Sequence, residues 1–197
     1  GMLYGFLGGG LFGLALTDSK RNKVRWHAVL TEMIAIGLLT YGVLVNQLGW
    51  LMTPPRSEMW AACLGASMAL AWYIWRNRHA HVMRVAVWSA MGAGFGFAFG
   101  NFLQVMGNVS GIGFNFWNVM EYSIGFFGGT GMAYGVFTAS WPVTDEKPSW
   151  QGNLIPILFV ALFIPFVVWD QSFVLSRFVF ILDSGGSPTT VLAFKLM

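Results

Sequence analysis

The residues equipped to do chemistry are few, and most are acids set among apolar neighbours. Glu32, Glu121 and Asp170 each interrupt a long hydrophobic run. An ionised group at the centre of a bilayer costs from about 3 to over 10 kcal/mol, so it normally turns toward a protein interior and marks a function. Glu121 is the strongest candidate. Asn118, Glu121, Gly125, Gly129 and Met132 recur at three- or four-residue spacing, which predicts one helical stripe carrying a carboxylate, an amide and small residues. Desolvation would raise such a carboxyl into a range fit for binding a cation or carrying a proton. A carboxylate near a helix start also suits the helix dipole without any further role. Glu32 is either the matching carboxylate of the first half of the chain, on the same path as Glu121, or a side chain that snorkels back toward Arg25 and His27. Asp170 and Arg177 share one helical face and read as a self-neutralising ion pair. Asn101 and Gln104 are placed to hydrogen-bond across a helix seam, or else to line the same path as Glu121.

Other chemistry is poorly supplied. His79 and His81 form a His-Ala-His pair with no carboxylate or cysteine close in sequence, so a basic loop facing lipid headgroups is expected there and a metal site is not. Cys63 is the sole cysteine, which excludes an intramolecular disulfide and a cysteine zinc cluster. The chain has no Gly-x-Ser-x-Gly, no His-Glu-x-x-His and no phosphate-binding Gly-x-x-x-x-Gly-Lys, which argues against an enzyme. No cofactor is expected.

The elements that must position these groups are set by composition. Of 197 residues, 56% are apolar, 17% aromatic and only 10% charged, where a soluble domain carries about 25% charged residues. Mean hydropathy is +0.61. The expected surroundings are therefore a lipid bilayer, and the expected fold is all-α: a polytopic integral membrane bundle of about six transmembrane helices, one domain over 1–197. The net charge of +3 is gathered in two short basic loops, as membrane orientation requires, so no nucleic acid is expected as partner.

Apolar runs predict spans at 2–17, 24–50, 57–75, 85–106 and 117–138, and a long final run over 153–182 that must bend or leave the membrane. Thr53-Pro54-Pro55-Arg56 breaks the chain after the second span, and 107–116 reads as an uncharged external link. The basic loops 18–25 and 76–84 lie two spans apart, so both can be cytoplasmic. The loop 140–150 joins them by parity alone. Gly1 before Met2 reads as a tag remnant or the mark of a fragment, and the apolar piece after the turn at 183–188 as a truncated or hooked end.

Glycine gives the pattern its detail. Gly5, Gly9 and Gly13 in the first span and Gly92, Gly96 and Gly100 in the fourth recur every four residues, while the fifth carries Gly125 with Gly129 and Gly131 with Gly135. Small residues at that spacing let helix backbones approach closely in lipid, and these ten positions are the expected packing faces, within the chain or toward a membrane protein partner or second copy. A shared Gly-apolar-Ala-apolar-small pattern at Gly13, Gly96 and Gly131, with similar separations from Gly13 to Gly96 and from Glu32 to Glu121, invites division into halves 1–82 and 83–182, leaving 183–197 as a terminal piece. Three spans per half would make an inverted 3+3 repeat, the plan of many secondary transporters. Five-residue echoes among low-complexity glycine-aromatic helices also arise by chance. Two functions of different class follow. One is a small-solute or cation transporter with Glu121 and Asn118 lining a path; the other is a non-catalytic scaffold or subunit that docks through glycine faces.

Overall fold

The computed structural model describes residues 1–19, 22–53, 57–111, 115–142, 154 and 158–166, and every regular element among them is helical. Residues Gly1–Thr144 form one compact unit and Asp145–Met197 a second. The first unit holds α1 (Met2–Thr17), α2 (Trp26–Tyr41), α3 (Met59–Arg76), α4 (Ala80–Ser110) and α5 (Phe116–Thr138). A π-helical turn, Gly42–Gln47, continues α2 without a break. In the second unit the described residues include another π turn, Phe159–Phe163. Most of the run 153–182, the loop 143–150 and the terminal piece 183–197 lie outside the described residues.

Five of the expected apolar runs become helices, α1 to α5, and α4 is longer than expected at both ends, beginning at Ala80 within the expected loop 76–84. Residues 107–110, expected in a link, are the last turn of α4, because Gly107 is buried under the ring of Phe116 and the helix ends only at Gly111, at φ 70°. Two helices, Trp26–Gln47 and Ala80–Ser110, are long and apolar enough to cross a membrane. Tryptophan and tyrosine dilute the hydropathy of α3, and Asn118, Glu121 and five glycines that of α5.

The spine is α4. It runs antiparallel to α1 along one side and to α5 along the other; α1 also touches α3, which pairs with α2, so the order across the unit is α5, α4, α1, α3, α2. On the α1 side, a Cβ at Gly5 would stand 2.6 Å from the Ser89 carbonyl oxygen, at Gly9 2.5 Å from Ser89 Cβ and at Gly13 3.0 Å from Val82. On the α5 side, Gly92, Gly96 and Gly100 meet the backbone of Phe127, Ser123 and Met120, while Gly131 and Gly135 meet Trp88 and Val85 in return. Aromatic rings fill the space beside this seam: Phe95 and Phe127 lie edge to face at 4.8 Å, and Trp88 and Tyr134 at 4.5 Å.

Gly125 and Gly129 are not packing faces within the first unit: nothing among the described residues lies within 4 Å of where a Cβ would stand on either. The reason is helical phase. At 3.6 residues per turn, Gly131 is rotated about 120° from Gly125, so the two glycine pairs cannot share a face. Gly128, with Ala93 at 3.3 Å from its Cβ position, does the packing in their place. Away from α4, Gly37 and Gly65 bring α2 against α3, the former with a Cβ position 3.0 Å from the Ala62 carbonyl oxygen.

The apolar core sits at the end of the unit where α1 and α3 finish and α2 and α4 begin. Leu14, Val24, Val29, Leu70, Tyr73, Ile74 and Val82 form it. Tyr73 is only 2% exposed, yet its hydroxyl is satisfied, accepting from the Arg25 backbone N–H at 3.1 Å. Gly96→Ala is expected to lower stability by about 1–3 kcal/mol, because the new methyl lands on the Ser123 carbonyl. Gly129→Ala, with open space around it, should leave stability unchanged or raise it by up to about 1 kcal/mol. Denaturant titration followed by circular dichroism compares the two; equal effects would remove the α4–α5 seam from its structural role.

Candidate functional site

The stripe of Asn118, Glu121, Gly125 and Gly129 lies on the outside of α5. Glu121, Gly125 and Gly129 are exposed, and Asn118 is half-buried. Gly128, seven residues on, is only about 20° from Glu121 around the helix, so exposure and not phase sets the carboxylate apart from the close-packed glycines of α5. Its Oε1 accepts the indole N–H of Trp117, one turn earlier on the same helix, at 2.7 Å. The Asn118 side-chain oxygen takes a longer bond, 3.3 Å, from the Asn115 amide. Asn115 caps the helix by accepting the Trp117 backbone N–H.

Glu32 has a partner the sequence order hides. Its carboxylate binds the Arg76 guanidinium at 2.7 Å, not Arg25 or His27, and so ties α2 to the last turn of α3. Both side chains are about a third exposed, at 29% and 39%. Arg76 also lies 5.6 Å from the centre of the Tyr73 ring, in cation–π range. Glu32 and Glu121 are at opposite ends of the unit, so no single site contains both. Asn101 turns back on its own helix, its amide donating to the Phe97 carbonyl at 2.8 Å instead of crossing the seam. Gln104, half-buried about four-fifths of the way along α4, has no side-chain hydrogen bond to another described residue. Asp170 and Arg177 lie outside the described residues.

Cavities open among the described residues of the first unit. A groove of about 280 Å³ between α2 and α3 is lined by apolar groups including Met33, Gly37, Met59 and Cys63. A second, of about 340 Å³, lies at the α3–α4 turn between Trp75, Arg78, His79 and Met83. Neither includes Glu32, Asn101, Gln104, Asn118 or Glu121.

Three polar arrangements escaped the sequence pattern. Glu58, just 6% exposed at the start of α3, accepts the backbone N–H groups of Met52 and Thr53, each at 2.9 Å, and the Trp60 indole. An acid standing immediately before an apolar helical run was the available signal. Asp18 does the same work between α1 and α2, accepting Val24 N–H at 2.9 Å and the Trp26 indole at 2.8 Å. Thr17, 1% exposed, joins α1 to α4: its hydroxyl donates to the Gly13 carbonyl and lies 2.9 Å from His81 Nε2. Because the hydroxyl hydrogen is already used, His81 must carry its proton on Nε2 and donate to Thr17. Its ring packs 5.7 Å from His79 and 5.1 Å from Trp141. No group of three or more potential metal ligands occurs among the described residues.

Compared with protein-family models, curated proteins and solved structures, the chain matches none.

The pH response follows from the two capping carboxylates. Burial alone would raise the Glu58 carboxyl, but the N–H groups of Met52 and Thr53 and the Trp60 indole hold it below its ordinary 4.5. The Val24 N–H and then the Trp26 indole hold Asp18 below 3.8. Carboxyls depressed in the folded state stabilise it above their ordinary values, and that stabilisation disappears as pH falls through the lower folded ones. Stability is therefore expected to hold level from pH 7 to about 5 and to fall below that, as protons bind the unfolded chain first. Glu58→Gln should lower stability at pH 7 and flatten the fall; a variant with the parental slope in acid unfolding titrations would exclude Glu58 as its source.

Proposed function

We propose that the chain is a multi-pass integral membrane protein of about six spans and that it serves as a scaffold or subunit, docking a partner helix on the outer face of α5. Support for the membrane comes first from α2. An apolar helix in a soluble core is covered by its neighbours, yet only 11% of the apolar window of Trp26–Gln47 is buried, and Leu30, Ile34, Leu38, Leu39 and Val43 all face outward. Tryptophans gather at both ends of the first unit: Trp26, Trp72 and Trp75 at one, Trp50, Trp60 and Trp117 at the other. Arg25, Arg76, Arg78 and Arg84 mark the former end as cytoplasmic, with loops 18–25 and 76–84 on that side.

One observation carries the choice of scaffold over transporter: the two carboxylates within apolar helices stand at opposite ends of the unit, and neither faces its interior. Glu32 is neutralised by Arg76, and Glu121 is exposed beside Trp117. A polar group and two uncovered glycines on a lipid-facing helix are poorly solvated by acyl chains and well matched to another helix, whose backbone can come close and whose side chains can meet the carboxylate.

Topology is tested with cysteines placed at Asn77 or Val109 in a Cys63→Ser background. The Asn77→Cys protein should react with a membrane-impermeant maleimide only after cells are permeabilised, and the Val109→Cys protein before; labelling of both from one side would end the multi-pass assignment. Function is tested by replacing Gly125 and Gly129 with Leu, which should reduce the detergent-solubilised assembly to a single chain by light scattering while leaving helicity intact. Proteoliposomes loaded with a pH-sensitive dye and given a potassium gradient should show no flux that depends on Glu121. A proton or cation flux abolished by Glu121→Gln would restore the transporter in place of the scaffold.

A further inference from the structure

The turn between α3 and α4 is built around an arginine in an unusual place. Its hydrogen bonds close α3 in the Schellman pattern: Arg78 N–H donates to the Trp75 carbonyl and His79 N–H to the Ile74 carbonyl, both at 3.0 Å. The residue between cap and exit in that motif is left-handed and is usually glycine. Here it is Arg78, at φ 57°, the only non-glycine residue at positive φ among those described. A left-handed conformation costs an ordinary side chain about 1–2 kcal/mol, so the guanidinium is held at this point against the preference of its own backbone.

What surrounds it has the character of a binding site. The cavity of about 340 Å³ has Arg78 and His79 as its polar wall, Trp75 as its aromatic wall, and Ile74 and Met83 as its apolar lining. Its neighbours are already engaged. Arg76 is spent on Glu32 and Arg84 donates to Thr138, whereas the Arg78 guanidinium has no acidic or hydrogen-bonding partner among the described residues. The cavity lies at the same end of the unit as Trp26, Trp72 and Trp75, the depth at which amphipathic rings meet headgroups.

We propose that this cavity binds a phosphate group, that of an anionic phospholipid of the cytoplasmic leaflet, with Arg78 as the charged contact, His79 as a second donor, and Trp75, Ile74 and Met83 against the glycerol and first acyl carbons. Basic pockets between helices on this side of a membrane suit such headgroups. The proposal rests on the membrane assignment above, and the two fail separately: a chain that stays soluble and monodisperse without detergent removes the membrane, whatever its response to lipid.

The test is thermal unfolding of the detergent-solubilised protein with added phosphatidylglycerol, with phosphatidylcholine, or with inorganic phosphate alone. Phosphatidylglycerol is expected to raise the midpoint by several degrees and phosphatidylcholine to do little. Arg78→Gly should fold at least as well as the parent, because glycine accepts φ 57° freely, yet need at least tenfold more phosphatidylglycerol for the same effect. Arg84→Gln should respond as the parent does. A parental response in Arg78→Gly, or an equal loss in Arg84→Gln, overturns the site in favour of diffuse surface charge. Stabilisation by inorganic phosphate alone that matches the lipid and is lost in Arg78→Gly keeps the phosphate site but replaces its source with a soluble ligand, overturning the lipid.

Discussion

The structure depends on how closely α4 can be approached. Toward α5 the glycines of α4 itself, and toward α1 the glycines of α1, remove the side chains between them, so both neighbours lie close against α4 and the three helices form a layer with carbonyls and Cα atoms in near contact. The α2–α3 pair comes as close at one point, where a Cβ at Gly65 would stand 2.5 Å from the Ile36 carbonyl oxygen. Once α4 is clasped on both sides, its ends are fixed as well: Arg84 donates to Thr138 at 2.8 Å near its start, and Gly107 lies under Phe116 near its finish. Polar chemistry is thereby displaced from the middle of the layer to its ends and outer faces.

At those ends one device recurs. Asp18, Glu58 and Glu121 each accept the indole N–H of a nearby tryptophan, Trp26, Trp60 and Trp117 respectively. The pairing suits a boundary between oil and water. In the proposed membrane the ring would present an apolar body toward hydrocarbon while its one donor satisfies a charge that would otherwise draw water inward. Glu32 reaches the same end by another route, through the Arg76 guanidinium.

The helices themselves were legible, because apolar runs of the right length leave few other choices, and α1 starts and stops where its residues say it should. Partners were not. The Gly92, Gly96 and Gly100 face is visible as a four-residue repeat, but the repeat at Gly125 and Gly129 looks identical and points the other way. Only the phase relation to Gly131 and Gly135 separates them. Glu32 illustrates a second limit, since Arg25 and His27 are near it in sequence while Arg76 is brought to it by the α2–α3 hairpin. Glu58 was hidden by its position just past a Pro-Pro break, where the chain has no period to read. Pairing across tens of residues leaves no trace in local spacing, and burial of one carboxylate leaves none in composition.

The widened turn at the end of α2 has a consequence for how this helix can change over evolutionary time. Leu48 N–H donates to the Val43 carbonyl at 3.0 Å, five residues back instead of four, so the stretch carries one residue more than a regular helix of the same rise. Loss of a single residue between Gly42 and Gln47 would restore ordinary α geometry there and leave the contacts of Gly37 and Glu32 with α3 untouched. The same loss inside α4 would rotate one glycine face away from its neighbour. Length variation in this fold is thus tolerated at the rim and forbidden along the spine.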